Sequence, residues 1–333
     1  MMQKPFLTIG IASYNYSEYL IRAFEQIKKQ EFHDYEVLYC DDGSTDGSVE
    51  IIESFIEKNP DMQIRLIKGE NRGLLANRNR ILENAIGEYL LICDADDYMS
   101  DDCLESLCSA AKGQEADCVI GGFCEVDRNG KEYKFHIPRE DSNKWIYIWH
   151  HAQMYRLEIV RKHNLRFENI PDDVCFLQRI HQYANKTVFV PKRMYYWCRH
   201  ADSTSGNIVQ NTEWHPKNLW RNIVDCILAI LKDNQEGVEL GAIHYFLYKW
   251  FYFNITDLSI QNRTEMTEHI KSLKWDMKKI CPEYRKFYFL KQALKEKDTS
   301  FAKTAIILCW ILEGIGCIKL LPIIRSMQQG RRR

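Results

Sequence analysis

The sequence predicts an α/β protein with a mostly parallel sheet flanked by helices and a helical C-terminal region. Over the first hundred residues, short apolar runs alternate with amphipathic stretches, which is the pattern of parallel strands joined by crossover helices. After about residue 213, apolar residues recur at helical spacing instead. A chain of 333 residues, 45% hydrophobic and 27% charged, has the composition of a globular protein of about two domains.

The elements of the first hundred residues follow from these patterns. Strands are predicted at 6–12, 36–40, 64–67 and 89–93, where apolar runs are typical of buried parallel strands. Helices are predicted from Ser17 with a stripe of Leu20, Ile21, Phe24 and Ile27, over 49–56 and over 74–86. We expect Gly87 to cap the third helix. From 117 to 212 the pattern is mixed, with a hairpin turn at 128–130.

Charge and missing motifs exclude several function classes. Forty-five basic and 46 acidic residues leave a net charge of −1, so we expect no nucleic-acid partner. The chain contains no phosphate-binding P-loop motif, no GxGxxG, no HExxH and no GxSxG. Its 12 cysteines form no CxxC pair, and residues 1–30 show no secretory signal pattern. We therefore expect free thiols and a cytoplasmic location.

Two acidic clusters each follow a predicted strand. Asp41, Asp42 and Asp46 are explained equally well by an ordinary Asp/Gly/Ser turn and by contacts to a base or a ribose. The second cluster, Asp94-Ala-Asp96-Asp97, is less easily explained as a solvated turn, because three acids within four residues repel one another. Oxygen ligands of this kind suit Mg²⁺ or Mn²⁺ bound together with substrate phosphates.

Other polar groups are less distinctive by themselves. Asp172-Asp173 precedes an apolar helical stretch, where acids favour the helix N-terminus. His150-His151 is interpreted as a surface or core pair, because no ligand spacing supports a zinc site.

Taken in order, the motifs resemble the family 2 nucleotide-sugar glycosyltransferases with a GT-A fold. They are TIGIASYN (8–15), YEVLYCDDGSTD (35–46), Asn71–Gly73 with Arg78-Asn79, and GEYLLICDADD (87–97). The resemblance continues through Trp149, Tyr155-Arg156, Leu165–Phe167, Asp172-Asp173, Phe176, Arg179, Tyr195-Tyr196 and Asp202-Ser203. It covers roughly residues 6–206.

The resemblance implies a role for each matching residue. Asp173 would be the catalytic base, with Asp172, where the family usually has Glu, as the second choice. Asp96 would bind Mn²⁺ or Mg²⁺, and His200 is a weaker candidate ligand. The donor-binding set would be Ser13, Tyr14, Asn15, Asp42, Arg78, Asn79, Asp94, Arg199 and Ser203, with Tyr14 and Asp42 holding the base, usually uracil.

The implied activity is inverting transfer of a sugar from a nucleotide-sugar donor, with UDP as the expected nucleotide, to a glycan or lipid-linked acceptor. We expect a role in surface polysaccharide synthesis. Residues 1–116 would be the nucleotide-sugar-binding half, 117–212 the acceptor half, and 213–333 the helical region. Two alternatives are a sugar-nucleotide-binding protein without catalysis, and a nucleotidyl- or phosphotransferase on a similar sheet.

The last residues predict contact with a membrane. Between Ala305 and Ile324 only Glu313 and Lys319 are charged, and the chain ends in three arginines. This segment fits a buried helix, an interfacial anchor or, least well because of its charges, a membrane span. An apolar segment with a basic tail favours an anionic surface, so residues 304–333 are predicted to attach peripherally to the inner face of the cytoplasmic membrane.

Overall fold

The computed structural model describes most of the chain. The described residues are 4–127, 129–168, 172–199, 216–233, 243, 245–247, 249–251, 263–280, 282, 285, 291, 295 and 300–318. They fall into two compact units. The first lies within Met1–Asp141 and Ile148–Gly206, and the second within Ser142–Tyr147 and Asn207–Arg333.

The first unit is built on one mixed sheet. Its strands among the described residues are β1 (Leu7–Ser13), β2 (Tyr35–Asp41), β3 (Ile64–Lys68), β4 (Tyr89–Asp94), β5 (Tyr98–Met99), β6 (Cys118–Val126), β7 (Glu132–His136), β8 (Gln153–Arg156) and β9 (Thr187–Cys198). The order is β3-β2-β1-β4-β8-β6-β9-β5, and β7 pairs with β6. β3, β2, β1 and β4 are parallel, as are β6 and β9, whereas β8 is antiparallel to both of its neighbours.

Helices connect these strands and make up the second unit. In the first unit they are α1 (Ser17–Lys28), α2 (Ser48–Lys58), α3 (Leu74–Asn84), α4 (Cys103–Gln114), α5 (Leu157–Lys162) and α6 (Asp172–Tyr183). The second unit contains a 3₁₀ turn (Lys144–Ile146), α7 (Pro216–Asp233), α8 (Arg263–Ile280) and α9 (Ser300–Gly314). The predicted α/β class with a helical C-terminal region is confirmed.

The central strands form the core of the first unit. Ile9 of β1, Val37 of β2 and Leu91 of β4 are fully buried, because helices cover both faces of the sheet. Cys40 and Cys93 lie buried in β2 and β4 as free thiols, as expected of Cys in apolar strands.

The register makes β1, β2 and β4 end together. Ser13 of β1 is paired with Asp41 of β2, and Ala12 with Asp94 of β4. The two acidic clusters therefore leave the sheet at the same edge, as the parallel arrangement predicts.

α1 buries a narrower stripe than the sequence predicts. Leu20, Phe24 and Ile27 are buried, and the Phe24 ring packs 5.2 Å from the Phe55 ring of α2. Ile21, which the sequence placed on the same stripe, is 51% exposed. One residue corresponds to about 100° around a helix, so Ile21 falls off the face that Leu20 occupies.

Gly87 does not cap α3, contrary to the sequence prediction. The helix ends at Asn84, and Ala85 at the cap is already extended. Arginine side chains satisfy the final carbonyls, since Arg65 donates to the Asn84 oxygen and Arg161 to the Ala85 oxygen at 2.6 Å. Gly87 is required instead because its backbone approaches β1: an added Cβ would lie 2.5 Å from the nitrogen of Thr8.

We expect Gly87→Ala to lower the free energy of unfolding by about 1–3 kcal/mol, since the methyl group meets rigid backbone. The matched control is Gly113→Ala in α4, where nothing lies within 4 Å of the added Cβ. This control should leave stability unchanged or raise it by about 0.5–1 kcal/mol. Urea denaturation compares the two variants, and equal effects would contradict the close approach.

Candidate active site

The loops after β1 and β2 are tied together by hydrogen bonds. Asn15 has φ of 59°, a left-handed conformation that asparagine tolerates better than most residues. Its amide oxygen accepts from the Thr45 N–H at 2.8 Å, and its own N–H donates to the Ser44 hydroxyl at 2.9 Å. Asp46 accepts from the Ser17 N–H at 2.9 Å, which fixes the start of α1. Asn15 thus has a clear positioning role at the edge of the sheet.

Asp42 holds the loop that precedes α3. Its carboxylate is buried and accepts the N–H groups of Arg72 at 3.1 Å and Gly73 at 2.8 Å. The Arg80 guanidinium lies 3.7 Å away and offsets its charge. The Asp42 N–H in turn donates to the Ser13 carbonyl at 2.9 Å. Beside these buried groups the Tyr14 side chain is 43% exposed.

Arg78 and Asn79 of α3 have different partners. The buried Arg78 guanidinium lies 3.1 Å from an Asp94 oxygen and offsets the charge of that carboxylate. Asn79 bonds with both ends of its amide to the backbone of Phe167: it donates to the carbonyl and accepts from the N–H, each at 2.9 Å. Asn79 therefore links α3 to the segment before α6.

The second acidic cluster occupies the end of β4 and the turn after it. Asp94 is partly exposed, whereas Asp96 and Asp97 are buried. Burial and the charges of Asp96 and Asp94 raise the pKa of Asp97 well above its ordinary range. The Asp97 carboxylate accepts from the Tyr195 hydroxyl at 2.9 Å and the Cys198 N–H at 2.8 Å.

Arg22 and Tyr16 lie close enough to the acidic cluster to be affected by its negative charge. Arg22 of α1 donates to the carbonyl oxygen of Asp96 at 2.6 Å. Burial and the charges of Asp96, Asp94 and Asp97 raise the pKa of the Tyr16 hydroxyl above its ordinary value. Arg22 and Tyr16 therefore lie within the electrostatic reach of the cluster, although they are far from it in sequence.

His150 and His151 precede β8 and are both buried. Burial lowers the pKa of His150 well below its ordinary value. Burial is also the main cause that lowers the pKa of His151 to about 4. Both rings are therefore neutral at pH 7. One ring nitrogen of His151 and one carboxylate oxygen each from Asp94 and Asp97 lie within 4.8 Å of one another. Carboxylate oxygens and a neutral imidazole are ligands for divalent cations, so these residues fit the ion that the sequence implies.

Asp173 lies in the first turn of α6 and is half-buried. Ring contacts hold this helix: Phe176 stacks on Phe167 at 4.0 Å and lies 5.7 Å from Tyr155 of β8. Arg199 follows β9, where its guanidinium lies 4.3 Å from the Trp197 ring centroid. Asp172 begins α6, and nothing is described of its side chain. His200 and Ser203 lie outside the described residues.

Residues 8–189 match the model of glycosyl transferase family 2, which is more than half of the chain. The chain belongs to this family. The matched segment contains the ends of β1, β2 and β4 and the start of α6, whereas Tyr195, Cys198 and Arg199 lie beyond it. The protein is a glycosyltransferase.

Relatives and solved structures agree with this assignment. The glycosyltransferase is 26% identical over 251 residues to glycosyltransferase GlyG of Streptococcus pneumoniae, covering 67% of this chain and 81% of GlyG. A structure of S. aureus TarS 1–349 in complex with UDP-GlcNAc matches with a TM-score of 0.71 and 18% identity, covering 97% of this chain and 92% of that one. The mannosyltransferase PcManGT of Pyrobaculum calidifontis, in complex with GDP-Man and Mn²⁺, matches with a TM-score of 0.52 and 17% identity over 94% of this chain and 88% of that one. At these identities the two structures show the shared fold, as predicted.

The sequence suggested for His150-His151 only a surface or core pair, and it did not single out Arg22 or the structural role of Asn79 in this glycosyltransferase. Arg22 meets Asp96 across 74 positions of sequence, and Asn79 meets Phe167 across 88. Tyr195 was noticed through the family resemblance alone, although its hydroxyl contacts Asp97. A signal for His151 was its place directly before a strand in an apolar segment, but nothing in the sequence indicated the neighbouring acids.

We expect Tyr195→Phe to lower the free energy of unfolding by about 1–3 kcal/mol, because it removes a donor from the buried Asp97 carboxylate. Tyr155→Phe is the matched control. Its buried hydroxyl has no hydrogen-bond partner among the described residues, so its removal should be neutral or stabilising. Thermal denaturation of both variants provides the comparison, and a neutral Tyr195→Phe would show that Asp97 does not depend on this hydroxyl.

Proposed function

We propose that the glycosyltransferase moves a sugar from a UDP-sugar to a hydroxyl of a glycan or lipid-linked acceptor, with inversion at the anomeric carbon. The observation that carries this proposal is the common edge of β1, β2 and β4, where Tyr14, Asp42, Arg78 and Asp94 follow or flank the strand ends. Assembly of a surface polysaccharide is the role that this reaction fits.

The base and the ribose are assigned to the two ends of this edge. The exposed ring of Tyr14 offers a stacking face for the base. The two Asp42 oxygens receive three backbone N–H contacts, which leaves one lone pair to accept the N–H of uracil. Asp94, oriented by Arg78, faces the ribose. The TarS complex with UDP-GlcNAc supports a uridine nucleotide on this fold.

The carboxylates after β4 are assigned to a divalent cation, Mn²⁺ or Mg²⁺, with Asp96 as the ligand predicted from sequence. When bound, the ion neutralises the charge that develops on the leaving diphosphate. The PcManGT complex contains Mn²⁺ together with GDP-Man, which supports a metal on this fold. Arg78 and Arg22 contribute positive charge at Asp94 and at the Asp96 carbonyl.

Asp173 is assigned as the catalytic base. Its carboxylate accepts the proton of the acceptor hydroxyl as that oxygen bonds to the anomeric carbon. The bond from the anomeric carbon to the diphosphate oxygen breaks on the opposite face, and the nucleoside diphosphate leaves with the electron pair. α6 holds Asp173 through the stacked rings of Phe176 and Phe167.

We expect Asp173→Asn to abolish sugar transfer while donor binding stays as in the wild type, because an amide cannot take the proton. In thermal shift, UDP at a hundred times its dissociation constant should stabilise this variant by about 2.7 kcal/mol in the presence of Mn²⁺. Asp96→Ala should lose that Mn²⁺-dependent stabilisation.

GDP and CDP are the controls for the nucleotide, and product analysis should find UDP rather than pyrophosphate. Normal turnover by Asp173→Asn would refute the base assignment. Stabilisation of the wild type by GDP in place of UDP would refute the uridine donor.

Peripheral attachment to an anionic membrane surface is the second part of the proposal, and α9 supports it. Among the described residues no helix combines the length and the apolar character needed to cross a membrane. Ala305, Ile306 and Cys309 of α9 are buried. Glu313 is also buried, and Lys274 at 3.5 Å and Arg285 at 3.3 Å balance its charge. The charge that argued against a membrane span is therefore paired inside the second unit.

The opposite face of α9 is apolar and exposed. Ile307, Leu308 and Ile311 are each 36–45% exposed and lie within about 100° around the helix axis. Ile315, just after the helix, is 66% exposed. The sequence around this face is basic, with Lys303, Lys319, Arg325 and Arg331–Arg333. An apolar face with basic neighbours suits the anionic inner leaflet of the cytoplasmic membrane.

We expect the full chain to float with vesicles that contain phosphatidylglycerol, and the double variant Ile307→Ser/Ile311→Ser to bind them about tenfold more weakly. The loss follows from about 1.4 kcal/mol of apolar burial given up by the two side chains. Ile21→Ser on α1 is the control, because that isoleucine is equally exposed but lies in the first unit. Unchanged flotation of the double variant would refute the assignment of this face.

A further inference from the structure

His151 is buried without a hydrogen-bond partner among the described residues, which is costly for a polar side chain. It is 6% exposed, and neither of its ring nitrogens has a hydrogen-bond partner within the described part of the chain. A neutral imidazole has one donor and one acceptor nitrogen, and leaving such a group unpaired in the interior costs about 1–3 kcal/mol. A ligand that bonds to the free nitrogen would remove this cost.

The sheet brings His151 to the end of β4. β8 runs antiparallel to β4 with Met154 opposite Leu91, and His151 lies in the turn that enters β8, two residues before the strand begins. The ring stacks on Tyr195 at 5.2 Å with an interplanar angle of 9°, which fixes its plane. The hydroxyl of the same Tyr195 binds Asp97. One aromatic residue thus positions both His151 and Asp97.

The three side chains have the spacing of a cation site. The donor atoms of Asp94, Asp97 and His151 lie within 4.8 Å of one another. Around an octahedral ion with bonds of about 2.1 Å, adjacent ligands are about 3 Å apart and opposite ones about 4 Å apart. Closing the group around an ion therefore brings any two of these donor atoms together by no more than about 2 Å. Each Asp97 oxygen accepts one hydrogen bond and retains a lone pair for an ion.

We propose that His151 is a further, nitrogen ligand of the divalent cation assigned above to Asp96, together with carboxylate oxygens of Asp94 and Asp97. The inference rests on the proposed function for the presence of the ion, and it adds a ligand that the acidic motif alone does not contain. Two oxygens and one imidazole nitrogen favour Mn²⁺ over Mg²⁺, which prefers oxygen ligands alone. Through Asp94, whose oxygen also contacts Arg78, the ion and the ribose share one carboxylate.

His150 provides an internal comparison. It is equally buried and its ring nitrogens also lack hydrogen-bond partners in the described structure, but it packs against Phe167 at 5.5 Å and Phe176 at 6.2 Å. It is not part of the group formed by Asp94, Asp97 and His151. Burial alone therefore does not distinguish the two histidines, whereas the position of the acids does.

Electron spin echo measurements on bound Mn²⁺ test the proposal, because ¹⁴N in the ligand shell modulates the echo. Spectra are recorded for the full chain with Mn²⁺, with and without UDP. We expect an imidazole nitrogen signal in the wild type, His150→Phe and His200→Ala, and none in His151→Phe, whose ring can still stack on Tyr195. Mn²⁺ affinity of His151→Phe should fall at least tenfold, since even the loss of an outer-shell partner has about that effect.

His151→Gln is the second variant if the phenylalanine disturbs folding, and it should lose the imidazole signal as well. A signal that persists in both His151 variants, or that disappears in His200→Ala, would overturn the assignment and leave the proposed transfer reaction intact. If Mn²⁺ bound to the wild type showed no nitrogen modulation, the His151 assignment would also be overturned, and the proposed transfer reaction would again stay intact. If UDP binds but Mn²⁺ does not, the metal dependence in the proposed function fails together with this inference.

Discussion

The accumulation of negative charge at the end of β4 is the constraint on which the rest of the site depends. Asp94, Asp96 and Asp97 lie within four residues, and two of them are buried, so their repulsion must be balanced by groups from elsewhere. Arg78 supplies a charge to Asp94, and Tyr195 and Cys198 supply donors to Asp97. These partners come from α3 and β9, which lie on either side of β4 in sequence. The acids at the end of β4 therefore join α3, which precedes β4 in sequence, to β9, which follows it.

The register of the sheet extends this constraint to the edge at which β1 and β2 end. β1 pairs with both β2 and β4, so the loop that carries Asn15 lies between the two acidic clusters. Asn15, Asp42 and Asp46 use their side chains on backbone N–H groups of neighbouring loops, which makes the edge rigid before any donor arrives. A site whose polar groups are already positioned loses less conformational freedom on binding.

Local patterns in the sequence were sufficient for the strands and for the acids at their ends, because alternation of strand and helix forces the strand ends to one edge. Features that depend on contacts across long stretches of sequence were not predictable in this way. Gly87 looks like a helix cap, yet its role is set by the backbone of Thr8, 79 positions away. The family resemblance suggests Asn79 as a donor contact, and the two hydrogen bonds between its amide and the Phe167 backbone could not be predicted from the sequence. His151 is a candidate metal ligand only because Asp94 and Asp97 lie beside it, and the pairing of β4 with β8 brings these distant parts of the sequence together.

The two sides of the site are held by different kinds of contact, and this difference bears on specificity. Directional hydrogen bonds to the backbone fix the edge where β1 and β2 end, whereas α6, which carries Asp173, is held by the Phe176 ring, which stacks on Phe167 and lies tilted against Tyr155. Ring contacts are less directional than hydrogen bonds, so under the proposed function we expect the acceptor side to tolerate more change than the sheet. The fold is shared with TarS in complex with UDP-GlcNAc and with PcManGT in complex with GDP-Man. These structures share one fold but contain different nucleotide sugars, so the fold alone does not set the substrate, and under the proposed function we expect the choice to depend on side chains near Asp94 and Asp173.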